Sequence, residues 1–364
     1  MRKFIEKKIS VVIPTLNEEN NIVTLINEII AELHNKDYEI IIVDDGSTDS
    51  TVSNILEKSK DHKNIKLFQR QYDRGLLQST KFGLQAITGE YFVVMDGDRQ
   101  HSASDINNLV NDLKENDLVI GVRDLKNINA ISIKRLFLSK FFNKILQFIL
   151  STKISDPLTG FFAGKASLLN EKFFLLANSG FKVLLDLIFS NKKDKIKIIE
   201  KKIKFGARAE GSSKLNAHVA FSFITQILSY LFNGLISSKF IGFIMIGSIV
   251  FVIHFSLLFL FYYLFGISFY FSHLLSTLIT ATVNFLANNY LNFYENKASS
   301  LNKLIFSLFK YYLINLPGII ASVGSASFAF NALTKSPIYA SLIGVIFDTI
   351  FKYIVSKTWI WKSN

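Results

Sequence analysis

YFVVMDGDRQH, residues 91–101, joins a run of four apolar residues to two carboxylates set one residue apart. A short run rich in aromatic and β-branched side chains reads as a buried strand. Asp96 and Asp98 then fall on the loop at its carboxyl end. Two carboxylates within a few ångströms repel each other unless a cation lies beside them. Oxygen donors of this kind suit Mg2+ or Mn2+, whose shell is usually completed by substrate phosphates. Gln100 offers a further oxygen two residues on. A D-x-D pair alone also describes an ordinary solvated loop; its position directly after a buried strand favours a cation and a pyrophosphate.

Working outward, ISVVI (9–13) is a strand ended by Pro14, followed by the polar TLNEENN and an apolar-periodic helix from Ile22 to Leu33. YEIIIV (38–43) is a second strand, closed by DDGSTDS, whose Asp, Ser and Thr can cap a helix from Thr51. NIKLF (64–68) is a third strand, Arg74 to Ile87 a helix, and 91–95 the fourth strand. Strands alternating with helices imply a parallel sheet covered on both faces, and ligands in such sheets sit at the carboxyl ends of strands. The loops 14–18, 44–47 and 96–101 should therefore converge on one cleft. DLVIGVR (117–123) reads as another strand and KKDKIKIIEKKIK (192–204) as a late strand with charged flanks. RLFLSKFFNKILQFIL (135–150) is an amphipathic basic helix, suited either to a lipid interface or to a core with one basic edge. ISDPLTGFFAG (154–164) is turn-rich and aromatic, and FGARAEGSSKL (205–215) is a basic loop.

The chain has 364 residues, 49% of them hydrophobic, and a formal charge of +12. Its mean hydropathy of +0.30 is high for a soluble protein, and the apolar segments responsible lie in the C-terminal third. The rest of the chain, residues 1–217, is long enough to bury its own core. HVAFSFITQILSYLFNGLI (218–236) reads as a connecting or interfacial helix. Four longer segments follow, near 240–265, 267–290, 304–331 and 337–356, each at or above the ~20 residues needed to cross a bilayer. The third carries Asn315 and Pro317, which a bundle tolerates. Lys297, Lys303, Lys357 and Lys362 flank one side of these spans and Lys335 the other, so the catalytic domain and both termini are expected in the cytoplasm. The expected division is a catalytic domain at 1–217, a juxtamembrane helix at 218–239 and a membrane domain of about four helices at 240–364. NFLANNYLNF (284–293) and YIVSKTWIW (353–361) both end a span with polar then aromatic residues, either as a weak repeat or as two aromatic belts. With no cysteine, disulfides and thiolate zinc sites are excluded. The positive charge accompanies membrane spans, which favours anionic lipid over nucleic acid as its partner. No cleavable signal peptide is expected, because MRKFIEKKISVVIP runs directly into a strand.

IPTLNEENNI (13–22), VDDGSTDST (43–51) and DGDRQH (96–101) resemble the signature segments of family 2 glycosyltransferases of the GT-A fold, a Rossmann-like, mostly parallel α/β architecture. DPLTGFFA (156–163) and FGARAEGSSKL resemble the polyprenyl-phosphate mannosyl- and glucosyltransferase branch, with dolichol-phosphate mannose synthases the best match. The C-terminal third resembles GtrA-like four-helix membrane domains. The resemblance implies that Pro14, Leu16 and Glu18 line the nucleotide site, with Val43 and Asp45 beside base or ribose. Leu16 stands where an aromatic residue is common. It implies that Asp96, Gly97 and Asp98 hold nucleotide and metal, with Gln100 as a further metal ligand; His101 reads as structural, because the adjacent glutamine and carboxylates already supply hard ligands. Arg123 would approach a phosphate, Arg208 and Lys214 would clamp the pyrophosphate, and Arg135 and Ser139 would receive the lipid phosphate; for Arg135 a headgroup-facing role is the alternative. The implied reaction is inverting transfer of mannose from GDP-mannose to dolichyl or another polyprenyl phosphate, with UDP-glucose and undecaprenyl phosphate as the nearest alternative. A lipid-linked sugar transporter or binding module with an inactive catalytic domain is a rival of another class. A processive polysaccharide synthase is disfavoured by the absence of a Gln-x-x-Arg-Trp segment.

Overall fold

The computed structural model describes residues 7–72, 74–123, 154–156, 159–176, 183–203, 217–294, 297–298 and 300–343. They divide into two compact units, one formed by Met1–Leu215 with Gln226–Leu235 and the other by Asn216–Thr225 with Ile236–Asn364.

In the first unit the chain runs β1 (Ile9–Thr15), α1 (Ile22–Leu33), β2 (Tyr38–Asp44), α2 (Thr51–Asp61), β3 (Ile65–Gln69), α3 (Leu76–Gln85), β4 (Tyr91–Val94), α4 (Ile106–Asp112), β5 (Leu118–Arg123), β6 (Phe162–Lys165), α5 (Glu171–Leu175), α6 (Val183–Ser190) and β7 (Ile198–Ile203). One seven-stranded sheet has the order β3-β2-β1-β4-β6-β5-β7. All neighbours are parallel except β6, which is antiparallel to both β4 and β5. The expected mostly parallel α/β sheet is present. Every residue of β1 is buried, as befits a central strand covered on both faces. On one face Ile22, Leu25, Ile26, Ile29 and Leu33 of α1 pack on Ile9, Val11, Ile13, Ile40 and Ile42. Each such burial contributes roughly 1.5–3 kcal/mol. The alternate residues Val12 and Val43 meet α3 at Gly83, where a Cβ would lie 2.5 Å from Val12.

Two sequence expectations change. β1 continues through Pro14 to Thr15 instead of stopping at the proline. Its ladder with β4 ends at Val12 paired with Val94, so Pro14 removes no hydrogen bond on that edge. The turn-rich reading of 154–164 missed β6: after the turn, Phe162 to Lys165 lie between β4 and β5.

Helix α7 (Ala217–Leu231) contributes its first turns to the second unit and its last turns to the first. In the second unit α8 (Ser238–Leu264), α9 (Phe269–Asn292) and α10 (Leu301–Ala332) are each long and apolar enough to cross a membrane. Of the fourth expected span, only 337–343 lies within the described residues, and these are helical. The second half of the suggested repeat, 353–361, lies outside them. Pro317 sits inside α10 without ending it. The interior face of α9 is largely polar, with Ser272, His273, Ser276, Thr277, Thr280, Asn284, Asn288 and Asn292 buried beside Phe269, Ala281 and Phe285. Ser276, Thr277 and Thr280 hydrogen-bond carbonyls one turn earlier. Asn284, Asn288 and Asn292 form a ladder at 3.0–3.1 Å. Ser341 bridges His254 and His273, at 3.1 Å from each.

Candidate active site

Three loops at the carboxyl ends of β1, β2 and β4 meet, held together by backbone and short polar side chains. Asp45 N donates to Thr15 O at 2.9 Å. Asn17 N donates to Ser47 Oγ, and Thr48 N donates back to Asn17 Oδ1, both at 2.9 Å. Glu18 N donates to Thr51 Oγ1 at 2.8 Å, joining the first loop to the start of α2. Gly97 packs on the first loop, its missing Cβ space lying 3.2 Å from Thr15 Cγ2 and 3.4 Å from Glu18 Cγ.

The two aspartates of VDDGS do different work. Asp44 is buried and accepts Gly46 N and Ser47 N at 3.0 Å each, closing its own turn with Gly46 at φ +88°. Asp45 turns toward the loop after β3, accepting Gly75 N at 2.6 Å and pairing with Arg70 at 3.1 Å. Burial pushes the Asp45 carboxyl up, over the opposing pull of Gly75, Ser79, Arg70 and Arg74. The Arg74 guanidinium lies against Gly46, where any side chain would strike it. Arg70 also donates to Ser79 at 2.9 Å, so this fourth strand-end loop is tied to α3.

At the acidic tip Asp96 and Asp98 are half-buried. Gln100 N donates to Asp98 Oδ1 at 3.1 Å. Arg99 holds a left-handed φ of +59° and pairs with Glu28 at 2.5 Å. The Asp96 carboxylate lies against Gly160, filling the space a Cβ would occupy. His101 is buried, stacked on Phe161 at 5.1 Å with its Nδ1 3.9 Å from Asp96 Oδ2. Gly160 and Phe161 thus wall the tip from behind, and the glycine leaves room for the carboxylate.

Leu16 is 52% exposed at the rim. Pro14 is buried and Glu18 half-buried on the same loop. Val43 is fully buried in the sheet, its side chain against Gly83 and its carbonyl accepting Thr15 Oγ1, so the expected place beside base or ribose is not open to it. Arg123 ends β5, and its side chain lies outside the described residues, as do Arg135, Ser139, Arg208 and Lys214.

Residues 10–173 match the family described as glycosyl transferase family 2, and residues 242–361 match the GtrA/DPMS transmembrane domain. The chain carries a glycosyl transferase family 2 domain followed by a GtrA/DPMS transmembrane domain. That second domain and its three apolar helices make it a membrane protein. The chain is 33% identical over 225 residues to a dolichol-phosphate mannosyltransferase of Pyrococcus furiosus, covering 60% of this chain and 62% of that relative. Proteins of the same name from Mycosarcoma maydis and Saccharomyces cerevisiae are each 28% identical, over 60% of this chain and 77% and 85% of theirs.

In the family 2 domain the three acidic loops converge as the topology predicts. Arg70, Arg74 and Gly75 were missed. The signal was present, because Arg70 directly follows β3 and so lies at the same carboxyl edge of the sheet as the other loops. Among the described residues no group of three or more His, Cys, Asp or Glu forms a preformed metal cage. The tip instead offers two carboxylates and a neighbouring amide, a hard-oxygen set that fits Mg2+ or Mn2+ when phosphate oxygens complete the shell.

Proposed function

We propose that the chain transfers a sugar from a nucleoside diphosphate to a polyprenyl phosphate at the cytoplasmic face of a membrane, with GDP-mannose and dolichyl phosphate as the favoured pair. The reading is carried by the meeting of the tip 96–100 with the β1 and β2 loops in a chain that also has a GtrA/DPMS domain. The relatives named dolichol-phosphate mannosyltransferase support the choice of sugar and acceptor.

In this reading Pro14, Leu16, Glu18 and Asp45 surround the nucleoside. Asp96, Asp98 and Gln100 would hold Mg2+ or Mn2+, which when bound offsets charge on the diphosphate. Gly97 lets the tip lie close against the β1 loop. Arg123, Arg208 and Lys214 would supply cations to the leaving nucleoside diphosphate, where charge accumulates as the glycosidic bond breaks. Arg135 and Ser139 receive the acceptor phosphate. That phosphate is already anionic near neutral pH, so alignment and charge neutralisation suffice without a strong general base. In-line attack on an α-linked donor gives a β-linked lipid product. The membrane domain, with four spans and both termini cytoplasmic, keeps the site beside its acceptor.

The test is a donor panel: full-length protein in detergent, each labelled nucleotide sugar, a polyprenyl phosphate, and Mg2+ or Mn2+. Organic-extractable label from GDP-mannose is expected. Label only from UDP-glucose replaces the donor but keeps the site, and no label from any donor overturns the reading. Asp98→Ala is expected to lower label formation by at least about 100-fold, whereas a transporter with an inactive domain would move lipid-linked sugar unchanged.

A further inference from the structure

A buried polar network lies outside the donor loops. Lys81 Nζ on α3 pairs with Asp186 Oδ2 on α6 at 2.8 Å and donates to Leu176 O at 2.9 Å. The other carboxylate oxygen of Asp186 accepts Tyr230 OH at 2.6 Å and Gln226 Nε2 at 3.1 Å, both from the last turns of α7. Gln226 Nε2 also donates to Tyr230 OH at 2.8 Å. Asp186 and Gln226 are fully buried, and Tyr230 nearly so. Tyr230 stacks on Phe189 at 4.4 Å, and Gly234, at φ +73° just past the helix, packs on Leu176. All of these residues belong to the first unit. The chain leaves this docked segment at Leu235, and α8 begins at Ser238.

A buried ion pair is a weak source of stability, because desolvation offsets most of the attraction; its better-attested use is to fix one register. Apolar packing alone would let α7 slide or roll on α6. The hydroxyl and amide bonds to one carboxylate are directional, and charge-assisted bonds are the stronger ones. Lys81 extends the link to α3, whose Ser79 shares Arg70 with Asp45 of the donor loop.

We infer that Asp186 is a positioning residue: through Lys81 on one side and Tyr230 and Gln226 on the other, it locks the segment that precedes the first membrane span onto the helix beside the donor loop. It thereby fixes how a bilayer-borne acceptor meets the donor. The inference rests on the function proposed above. It requires that the network matter for an acceptor held in a membrane and not for one arriving from solution.

The experiment measures KM and kcat for a long polyprenyl phosphate in vesicles and for a short, water-soluble prenyl phosphate, with donor affinity as a third readout. The double variant Lys81→Met/Asp186→Leu removes both charges, so none is left orphaned. It is expected to raise KM for the vesicle acceptor roughly tenfold while leaving the soluble acceptor and donor affinity within about twofold. Lys81→Gln/Asp186→Asn keeps polar contacts at both positions and is expected to restore most of the vesicle KM. Tyr230→Phe, which deletes one hydroxyl, is expected to give a smaller change in the same direction and decides the matter if the double variant does not fold. Unchanged kinetics in the variants, or equal losses with both acceptors, would overturn the inference. Wild-type protein that makes no lipid product from any donor would instead overturn the proposed function.

Discussion

Gly160 shows how far one missing side chain reaches. It lies in a turn remote in sequence from the acidic tip, yet the Asp96 carboxylate occupies the space its Cβ would take. Gly160→Ala must push that carboxylate aside. Since misplacement of about an ångström can cost up to ~10²-fold in rate, kcat/KM in the lipid-product assay is expected to fall between roughly 10- and 100-fold, with little change in melting temperature. Glu39 behaves differently. It is buried at the start of β2, far along the strand from the donor loops, and accepts Ser10 Oγ, Lys66 Nζ and Thr88 N at 2.6–2.7 Å. Burial pushes its carboxyl up, but the hydrogen bonds from Lys66, Ser10 and Thr88 outweigh it and hold the pKa at about 2 instead of 4.5. A depressed carboxylate stabilises the fold above its unfolded pKa and loses that contribution as pH falls through the folded value. About 3 kcal/mol should therefore fade between pH 4.5 and pH 2. Thermal melts of wild type and Glu39→Gln across pH 2–7 should differ most at neutral pH and converge in acid.

Among the elements, β1, β2 and β4 were legible because buried central strands are near-continuous apolar runs that end in polar loops. The same reasoning located the three acidic loops, since topology fixes which ends of parallel strands face a ligand. β6 was not legible: FAGK is short, begins straight after DPLTGF, and is held in the sheet by its neighbours more than by its own pattern. Lys81 and Asp186 were missed for a related reason. A lysine inside an apolar-periodic helix looks like a surface residue until its partner from a distant helix is seen. Gly83 sits two residues on, where α3 crosses β1 and β2. A Cβ there would lie 2.5 Å from Val12 and 3.1 Å from Val43. Gly83→Val is expected to overpack this crossing and destabilise the first unit by about 1–3 kcal/mol, measured as a lower denaturation midpoint with an unchanged slope.

At the scale of the whole molecule, hydropathy located the three described spans to within a few residues, but could not reveal which face of each is polar. That polarity bears on how the protein is made. A translocon reads each segment against lipid, and Ser, Thr, His and Asn count against α9 even though most of them are hydrogen-bonded, within the helix or to a neighbour, in the folded chain. α9 alone should therefore be rejected by the membrane, while α8, which is far more apolar, should enter unaided. In a glycosylation-mapping assay on nascent chains, α9 in isolation is expected to remain largely uninserted and the α8–α9 hairpin to integrate as a pair. Replacing Asn284, Asn288 and Asn292 with leucine should let α9 insert by itself. Biogenesis would then run in order, the polar α9 drawn into the bilayer by the apolar α8 synthesised before it.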